Sequence, residues 1–214
     1  MDKYIELFAF DNSQAQTIIG TDEAGRGSGV GAVFAAAVCF NASNQELIER
    51  LKYLNDSKKV SKKHREELYD VIKNETINKV IKIEVEEIEK TNILISSLKA
   101  MKLAIEDVEA RIEYEKLLVF VDGCNLVRGL EFPQKCLVKG DAKSASIAAA
   151  SILAKVERDK YMLELDKKFP EYGWAANMGY LTKEHMAAID KYGLSPYHRA
   201  SYLEKHFTEQ LSLF

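Results

Sequence analysis

The segment Lys116-Leu117-Leu118-Val119-Phe120-Val121-Asp122 stays apolar without alternation until it ends in an aspartate. A strand with one solvated face alternates apolar and polar residues, so an uninterrupted run must be covered on both faces, usually by helices on either side of a sheet. That requirement predicts an α/β chain. Two further strands, over 16–22 and 30–40, flank a glycine-rich loop and read as a hairpin. The run from Val30 to Phe40 is apolar but far shorter than the roughly 20 residues a bilayer demands. Lys79-Val80-Ile81-Lys82-Ile83-Glu84-Val85-Glu86 alternates cleanly and predicts a half-exposed strand, and a short strand is expected over 135–139.

The helical periods lie between these runs. Ser61 is placed to cap a helix over 61–73 with a stripe at Leu68, Val71 and Ile72. Apolar positions 94, 98, 101, 105, 108 and 112 predict a helix over 92–113. Ser144 is placed to cap a long helix from Ala145 to about Lys168, whose small side chains in the first half permit close packing on a sheet. A short helix follows over 182–192. This order gives an α/β fold with a mixed sheet flanked by helices and a helical C-terminal extension. At 214 residues and 47% hydrophobic, the chain can bury one sizeable core, which we expect over 1-205, followed by a tail over 206-214.

A net charge of −3 advertises no global affinity for nucleic acid, so any such contact must be a local basic patch. Cys39, Cys124 and Cys136 are odd in number and lack CxxC spacing, which argues against a disulfide framework or a zinc site. The N-terminus lacks the basic start and long apolar run of a signal peptide. The expectation is a cytoplasmic monomer with no membrane partner.

Acids stand where a site would form. Asp22 and Glu23 end one predicted strand, Asp122 ends another, and Asp141 follows a third. Ligands of open α/β sheets gather outside the carboxyl ends of strands, so acids distant in sequence can converge there. Close carboxylates repel one another unless a cation lies between them. An oxygen-only donor set selects Mg²⁺ or Mn²⁺ over zinc, and two such ions would stabilise the attacking and leaving oxygens of a phosphoryl displacement. Gly25-Arg26-Gly27 can bring bare backbone N–H groups against a polyanion. Lys58, Lys59, Lys62, Lys63 and Arg65 form either a phosphate-binding patch or a solvated helix face balanced by Glu66 and Glu67.

Six blocks in order make the reading specific: Gly20-Thr21-Asp22-Glu23-Ala24-Gly25-Arg26-Gly27, Leu54-Asn55-Asp56-Ser57-Lys58-Lys59, Val121-Asp122-Gly123, Val138-Lys139-Gly140-Asp141, the stretch Ser146 to Asp159, and Gly179-Tyr180 with Thr182-Lys183-Glu184-His185. Over about residues 16–202 the chain resembles ribonuclease HII, the type 2 ribonuclease H family. The resemblance implies a ribonuclease H-like fold and catalytic, metal-binding carboxylates at Asp22, Glu23, Asp122 and Asp141. Two Mg²⁺ or Mn²⁺ ions would serve cleavage of RNA–DNA hybrids, and cleavage 5′ of single ribonucleotides in duplex DNA, leaving a 3′-hydroxyl and a 5′-phosphate. It further implies that Gly25, Arg26 and Gly27 read the 2′-hydroxyl, that Tyr180 packs on the sugar at the junction, and that Lys58 and Lys59 contact phosphate. Asp159 is either a supporting acid or a surface acid paired with Lys155. A non-catalytic hybrid binder is the rival of another class, but four intact acids would repel the phosphate backbone without bridging metal.

The chain also departs from the family's pattern. Ser28 and Ala32 stand where prolines are usual, which implies a less rigid loop. Cys124 interrupts the usual Asp-Gly-Asn, and Leu181 follows Tyr180 where a small residue or proline is common. At the end of the chain, Gln210-Leu211-Ser212-Leu213-Phe214 is similar to the pentapeptide by which bacterial repair proteins bind the sliding clamp. Gln210, Leu211, Leu213 and Phe214 are therefore expected to bind that partner.

Overall fold

A computed structural model describes residues 2–40 and 44–204. The chain opens on α1 (Lys3–Gln14), β1 (Thr17–Ala24), β2 (Val33–Cys39), α2 (Gln45–Arg50), α3 (Lys62–Glu75) and β3 (Ile77–Ile83). It continues through α4 (Val85–Lys90), α5 (Ile93–Glu109), β4 (Leu117–Asp122), β5 (Gln134–Leu137), α6 (Ala145–Lys168), α7 (Trp174–Asn177) and α8 (Lys183–Tyr192). One five-stranded sheet has the order β3-β2-β1-β4-β5. β2 pairs antiparallel with both β1 and β3, whereas β4 runs parallel to β1 and β5 parallel to β4. The expected hairpin and mixed sheet are therefore both present.

Helices cover both faces, as the unalternating β4 required. On one side α6, α3 and α1 pack around Ala148, Ala149, Ile152, Leu153, Leu68 and Leu7; on the other, α5 packs Ala100, Met101, Ala104 and Ile105 against Ile19, Val119 and Val121. The close fit of α6 depends on Gly20. A Cβ there would lie 2.3 Å from the Ser146 carbonyl carbon and 2.4 Å from the Ile147 nitrogen, closer than any real contact. Ser144 caps α6 through its side chain to the Ile147 N–H, and buried Asp11 of α1 accepts from the Ser146 N–H at 2.9 Å. Carboxylate oxygens at a helix start satisfy donors the helix itself cannot. A third cluster, around Val30, Met162, Leu165, Tyr172, Trp174, Ile189 and Leu203, ties the C-terminal helices to the far end of α6.

Some expectations shift. The strand expected over 79–86 is Ile77–Ile83, because the Glu84 carbonyl accepts the first helical N–H groups of α4, whose Val85 and Ile88, three apart, turn inward. The strand expected over 16–22 extends to Ala24, so Asp22 and Glu23 lie inside its last turn of pleat. α1 and α2 were not anticipated. The tail over 206-214, including Gln210, Leu211, Leu213 and Phe214, lies outside the described residues. Among the described residues no helix is long and apolar enough to cross a membrane.

Candidate active site

The acids gather at the carboxyl edge of the parallel part of the sheet. In the parallel register Thr21 lies beside Val121, which sets Asp22 and Asp122 on neighbouring strand ends. Gly20 and Phe120 both face α6, and strand alternation sends residues two positions on, Asp22 and Asp122, toward the same face. Asp122 pairs across with Leu137 of β5, after which Gly140–Ala142 form a 3-10 turn that carries Asp141. The Asp122 carboxylate accepts from the Gly140 N–H at 2.7 Å, fixing this turn to β4.

The electrostatics bind the four together. Burial pushes the Asp22 carboxyl well up, and the charges of Glu23 and Asp122 push it further. Burial also raises Glu23, an effect that the Arg26 guanidinium, 3.0 Å away, reduces and Asp122 reinforces. Asp141 is raised by burial, then by Asp56 and Asp122. Asp122 is thus the acid that all three others feel. Alternation alone sends Glu23 to the opposite face from Asp22, and its carboxylate is held by Arg26. Accordingly, among the described residues no three metal-type side chains already converge closely enough to share an ion. The donor set nevertheless fits a hard divalent cation: it is all oxygen, and a cation would offset the burial and the like charge that raise Asp22, Glu23 and Asp141.

The basic patch is anchored beside the acids. Ser57 Oγ lies 2.9 Å from Ser151 Oγ on α6, and Ser151 in turn hydrogen-bonds Asp22. Arg65 donates to the Ser57 carbonyl at 2.6 Å, so it shapes the turn rather than facing solvent as a free cation. Lys58 and Lys59 project from that turn, exposed. Asp56, whose carboxylate accepts from the Lys58 N–H at 2.9 Å, reaches Asp141 and was not anticipated as part of the acidic cluster. Asp159 is ion-paired with Lys155 at 2.6 Å, the surface-pair alternative.

The Gly25-Arg26-Gly27 loop is held from behind. Ser28 does not loosen it: the side chain is fully buried and its one O–H lies between the carbonyls of Val30 (2.8 Å) and Gly179 (3.0 Å). Hydrogen bonds supply the restraint that proline would supply through φ. Arg199, also fully buried, donates through Nη1 to the carbonyls of Gly25 (2.8 Å) and Ser28 (2.7 Å), and through Nη2 to that of Gly31 (2.7 Å). Gly25 has φ +100°, and a Cβ there would meet Arg158 Nε at 2.6 Å. Arg158 is itself buried, donates to the Met178 carbonyl at 2.6 Å, and stands 5.9 Å from the Tyr180 ring centre. The half-exposed Tyr180 ring packs against Gly27, where a Cβ would lie 3.7 Å from it. Loop and tyrosine are therefore neighbours. Asn125 instead donates to Cys124 Sγ at 3.6 Å, in a groove beside the start of α5.

Tyr180 is fixed through its backbone by buried histidines. The His185 Nδ1 lies 2.9 Å from the Tyr180 carbonyl, and His185 Nε2 accepts from Trp174 Nε1 at 3.0 Å. His198 Nδ1 accepts the Ser195 N–H at 2.9 Å, which leaves its Nε2–H to donate to His185 Nε2 at 3.2 Å. Both rings are neutral in this arrangement, since each has one nitrogen committed as an acceptor. Burial pushes His198 down to about 4, with the neighbouring His185 adding to the effect. The unfolded chain takes up this proton near 6.5 and the folded chain near 4, so the network's contribution to stability weakens as pH falls across that interval. Trp174 is the chain's lone tryptophan, and its emission is expected to hold steady down to about 6.5 and to change on approach to about 4. A fluorescence titration checks this; a midpoint near 6.5 would contradict the neutral network.

Comparison with known proteins places this geometry in a family. The family model described as Ribonuclease HII matches residues 19–208. Ribonuclease HII of Caldanaerobacter subterraneus subsp. tengcongensis is 49% identical over 189 residues, covering 88% of this chain and 74% of its own. The ribonuclease HII solved in a PCNA complex from Archaeoglobus fulgidus superposes with a TM-score of 0.67 at 26% identity, covering 86% of this chain and 93% of that one. A Bst-RNase HIII solved in complex with Mn²⁺ shares the fold, with a TM-score of 0.64 at 18% identity over 86% of this chain and 65% of that one. The chain belongs to the ribonuclease HII family, and is a nuclease of the ribonuclease H class, whose members cleave RNA in RNA–DNA hybrids and depend on metal.

Proposed function

We propose that this protein cleaves the RNA strand of RNA–DNA hybrids and also cuts 5′ of single ribonucleotides embedded in duplex DNA, leaving a 3′-hydroxyl and a 5′-phosphate, in the service of ribonucleotide removal. The observation that carries this reading is the adjacency of two devices: acids at the ends of β1 and β4 and on the turn after β5, of which Asp22, Glu23 and Asp141 all feel the charge of Asp122, and a glycine loop with Tyr180 against it. Asp22, Glu23, Asp122 and Asp141 would hold two Mg²⁺ or Mn²⁺ ions. When bound, such ions generate a nucleophilic water at neutral pH and stabilise the departing oxygen.

The protein's own groups do the remainder. Gly25, Arg26 and Gly27 lie where backbone N–H groups can meet a ribose hydroxyl, the group that separates RNA from DNA. Tyr180 offers a ring face to the sugar beyond it. Lys58 and Lys59 supply charge for the phosphate backbone. A duplex carrying one ribonucleotide should be cut once, 5′ of the ribose, in Mg²⁺ or Mn²⁺ and not in EDTA. Uncut substrate in either metal, with the protein folded, would overturn the reading.

We further propose that residues 210–214 bind a sliding clamp. Support comes from the apolar Leu211, Leu213 and Phe214 in a peptide of the clamp-binding type, and from a PCNA complex of a family relative. Deleting 210–214 should abolish clamp retention in a pull-down and leave cleavage of short duplexes unchanged; retained binding would remove the idea.

A further inference from the structure

Arg199 makes a set of contacts unlike an ordinary buried ion pair. Its side-chain donors end on main-chain carbonyls: Nε and Nη2 on Gly31 (2.9 and 2.7 Å), and Nη1 on Gly25 (2.8 Å), Arg26 (3.3 Å) and Ser28 (2.7 Å). Its own N–H donates to the Gly29 carbonyl at 2.8 Å. The Tyr202 hydroxyl, three residues on, donates to the Arg26 carbonyl at 2.6 Å. The C-terminal segment thus grips the oxygens of a loop more than 170 positions earlier, and a bridge between Val30 and His198 aligns the two segments.

Peptide planarity converts that grip into a direction. In a trans peptide the C=O and the following N–H point opposite ways, and the chain contains no cis bond among the described residues. With the Gly25 and Arg26 carbonyls drawn toward Arg199 and Tyr202, the N–H groups of Arg26 and Gly27 are turned to the other side. Neither amide has an acceptor among the described residues. Two successive amides aimed together form a concave donor site for an oxygen, and Gly25 and Gly27 leave it uncovered by side chains.

We propose that Arg199, with Tyr202, is the positioning residue of this loop: by holding the carbonyls of Gly25 and Arg26 it aims the Arg26 and Gly27 amides at the ribose 2′-hydroxyl. This rests on the proposed ribonucleotide-cutting function. Lysine cannot substitute, because a point charge on a flexible stem cannot hold several carbonyls in one plane as a guanidinium fork does. Nor is the arginine neutralised by a hydrogen-bonded carboxylate; Glu89, whose charge it feels, is committed to the N–H and hydroxyl of Ser201.

The test measures binding rather than turnover. In Ca²⁺, an oxygen-binding divalent cation that offsets the charge of the acids, and over times in which the duplex stays uncut, dissociation constants are taken for a duplex with one ribonucleotide and for the same duplex in all-deoxy form. The wild-type protein should prefer the ribonucleotide. Tyr202→Phe, which removes one hydrogen bond at a partly exposed site, should lower that preference roughly two- to tenfold, and Arg199→Lys by more, with affinity for the all-deoxy duplex unchanged in both. A folded Tyr202→Phe variant that keeps the full preference overturns the inference, whatever Arg199→Lys does to folding. Equal loss of affinity for both duplexes overturns it too, since that marks general damage. A wild-type protein with no preference, and no cleavage in Mg²⁺, instead overturns the function on which the inference rests.

Discussion

Replacing Asp22 by asparagine is expected to reduce cleavage by about a thousandfold or more while leaving the metal-free protein as stable as before, or more so. The two effects have one cause. Asp22 is buried beside Glu23 and Asp122, and both burial and those charges disfavour its ionised form. A carboxyl whose folded value is raised stabilises the fold at low pH and loses that contribution as pH rises through the folded value. As pH rises above the ordinary carboxylate range the native protein therefore bears a growing cost at this group, and the isosteric amide removes it. The melting temperature of Asp22→Asn in EDTA should match or exceed that of the wild type, and the gap should narrow as the solution is acidified. In Mg²⁺ the order should reverse, because a ligand that binds only the folded state stabilises it and the variant has lost a charged donor. Full activity in the purified variant, or a large drop in its metal-free melting temperature, would contradict this account.

Gly25→Ala is the second change with a large expected effect, and on the proposed function it would separate selection of the sugar from the metal chemistry. Its backbone lies at φ +100°, where a side chain costs on the order of 1–3 kcal/mol. The added methyl would also lie 2.6 Å from Arg158 Nε, and Arg158 is tethered to the Met178 carbonyl beside Tyr180. The loop must move or Arg158 must, and either displaces the surface on which the ribose would sit. A shift near 1 Å at such a position costs about a hundredfold in rate. Single-turnover cleavage of the one-ribonucleotide duplex should fall by about that factor, while the stabilisation by Mg²⁺ in a thermal melt persists because the carboxylates are untouched. Loss of both would mean that the loop and the acids form one indivisible unit.

How much of this was legible in the chain depends on what leaves a periodic trace. The unalternating β4 announced coverage on both faces, and α5 and α6 supply it. Ser144 marked the start of α6 to the residue, since a cap is a local chemical signal. The alternation of β3 overran its end because Glu84-Val85-Glu86 fits a strand and the first turn of a helix equally, and only packing against α5 decides. The acids at strand ends were legible as a set, and the resemblance to a known family assigned the loop and Tyr180. Asp56 was hidden in a block read for its lysines. Arg158, Arg199 and Ser28 were invisible for a physical reason: their partners are main-chain carbonyls, which every residue carries. Ser28 in particular was read as a missing proline, whereas its hydroxyl ties the loop to Gly179.

The span between Arg199 and the loop it holds also orders events in time. A ribosome delivers the chain N-terminus first, so Asp22, Glu23, Asp122 and Asp141 are all synthesised well before the arginine that braces residues 25–31. Until that arginine has been added, the loop beside the acids lacks its anchor. On the proposed reading, competence to select a ribose would then arrive only after Arg199 has been added and has docked on the loop.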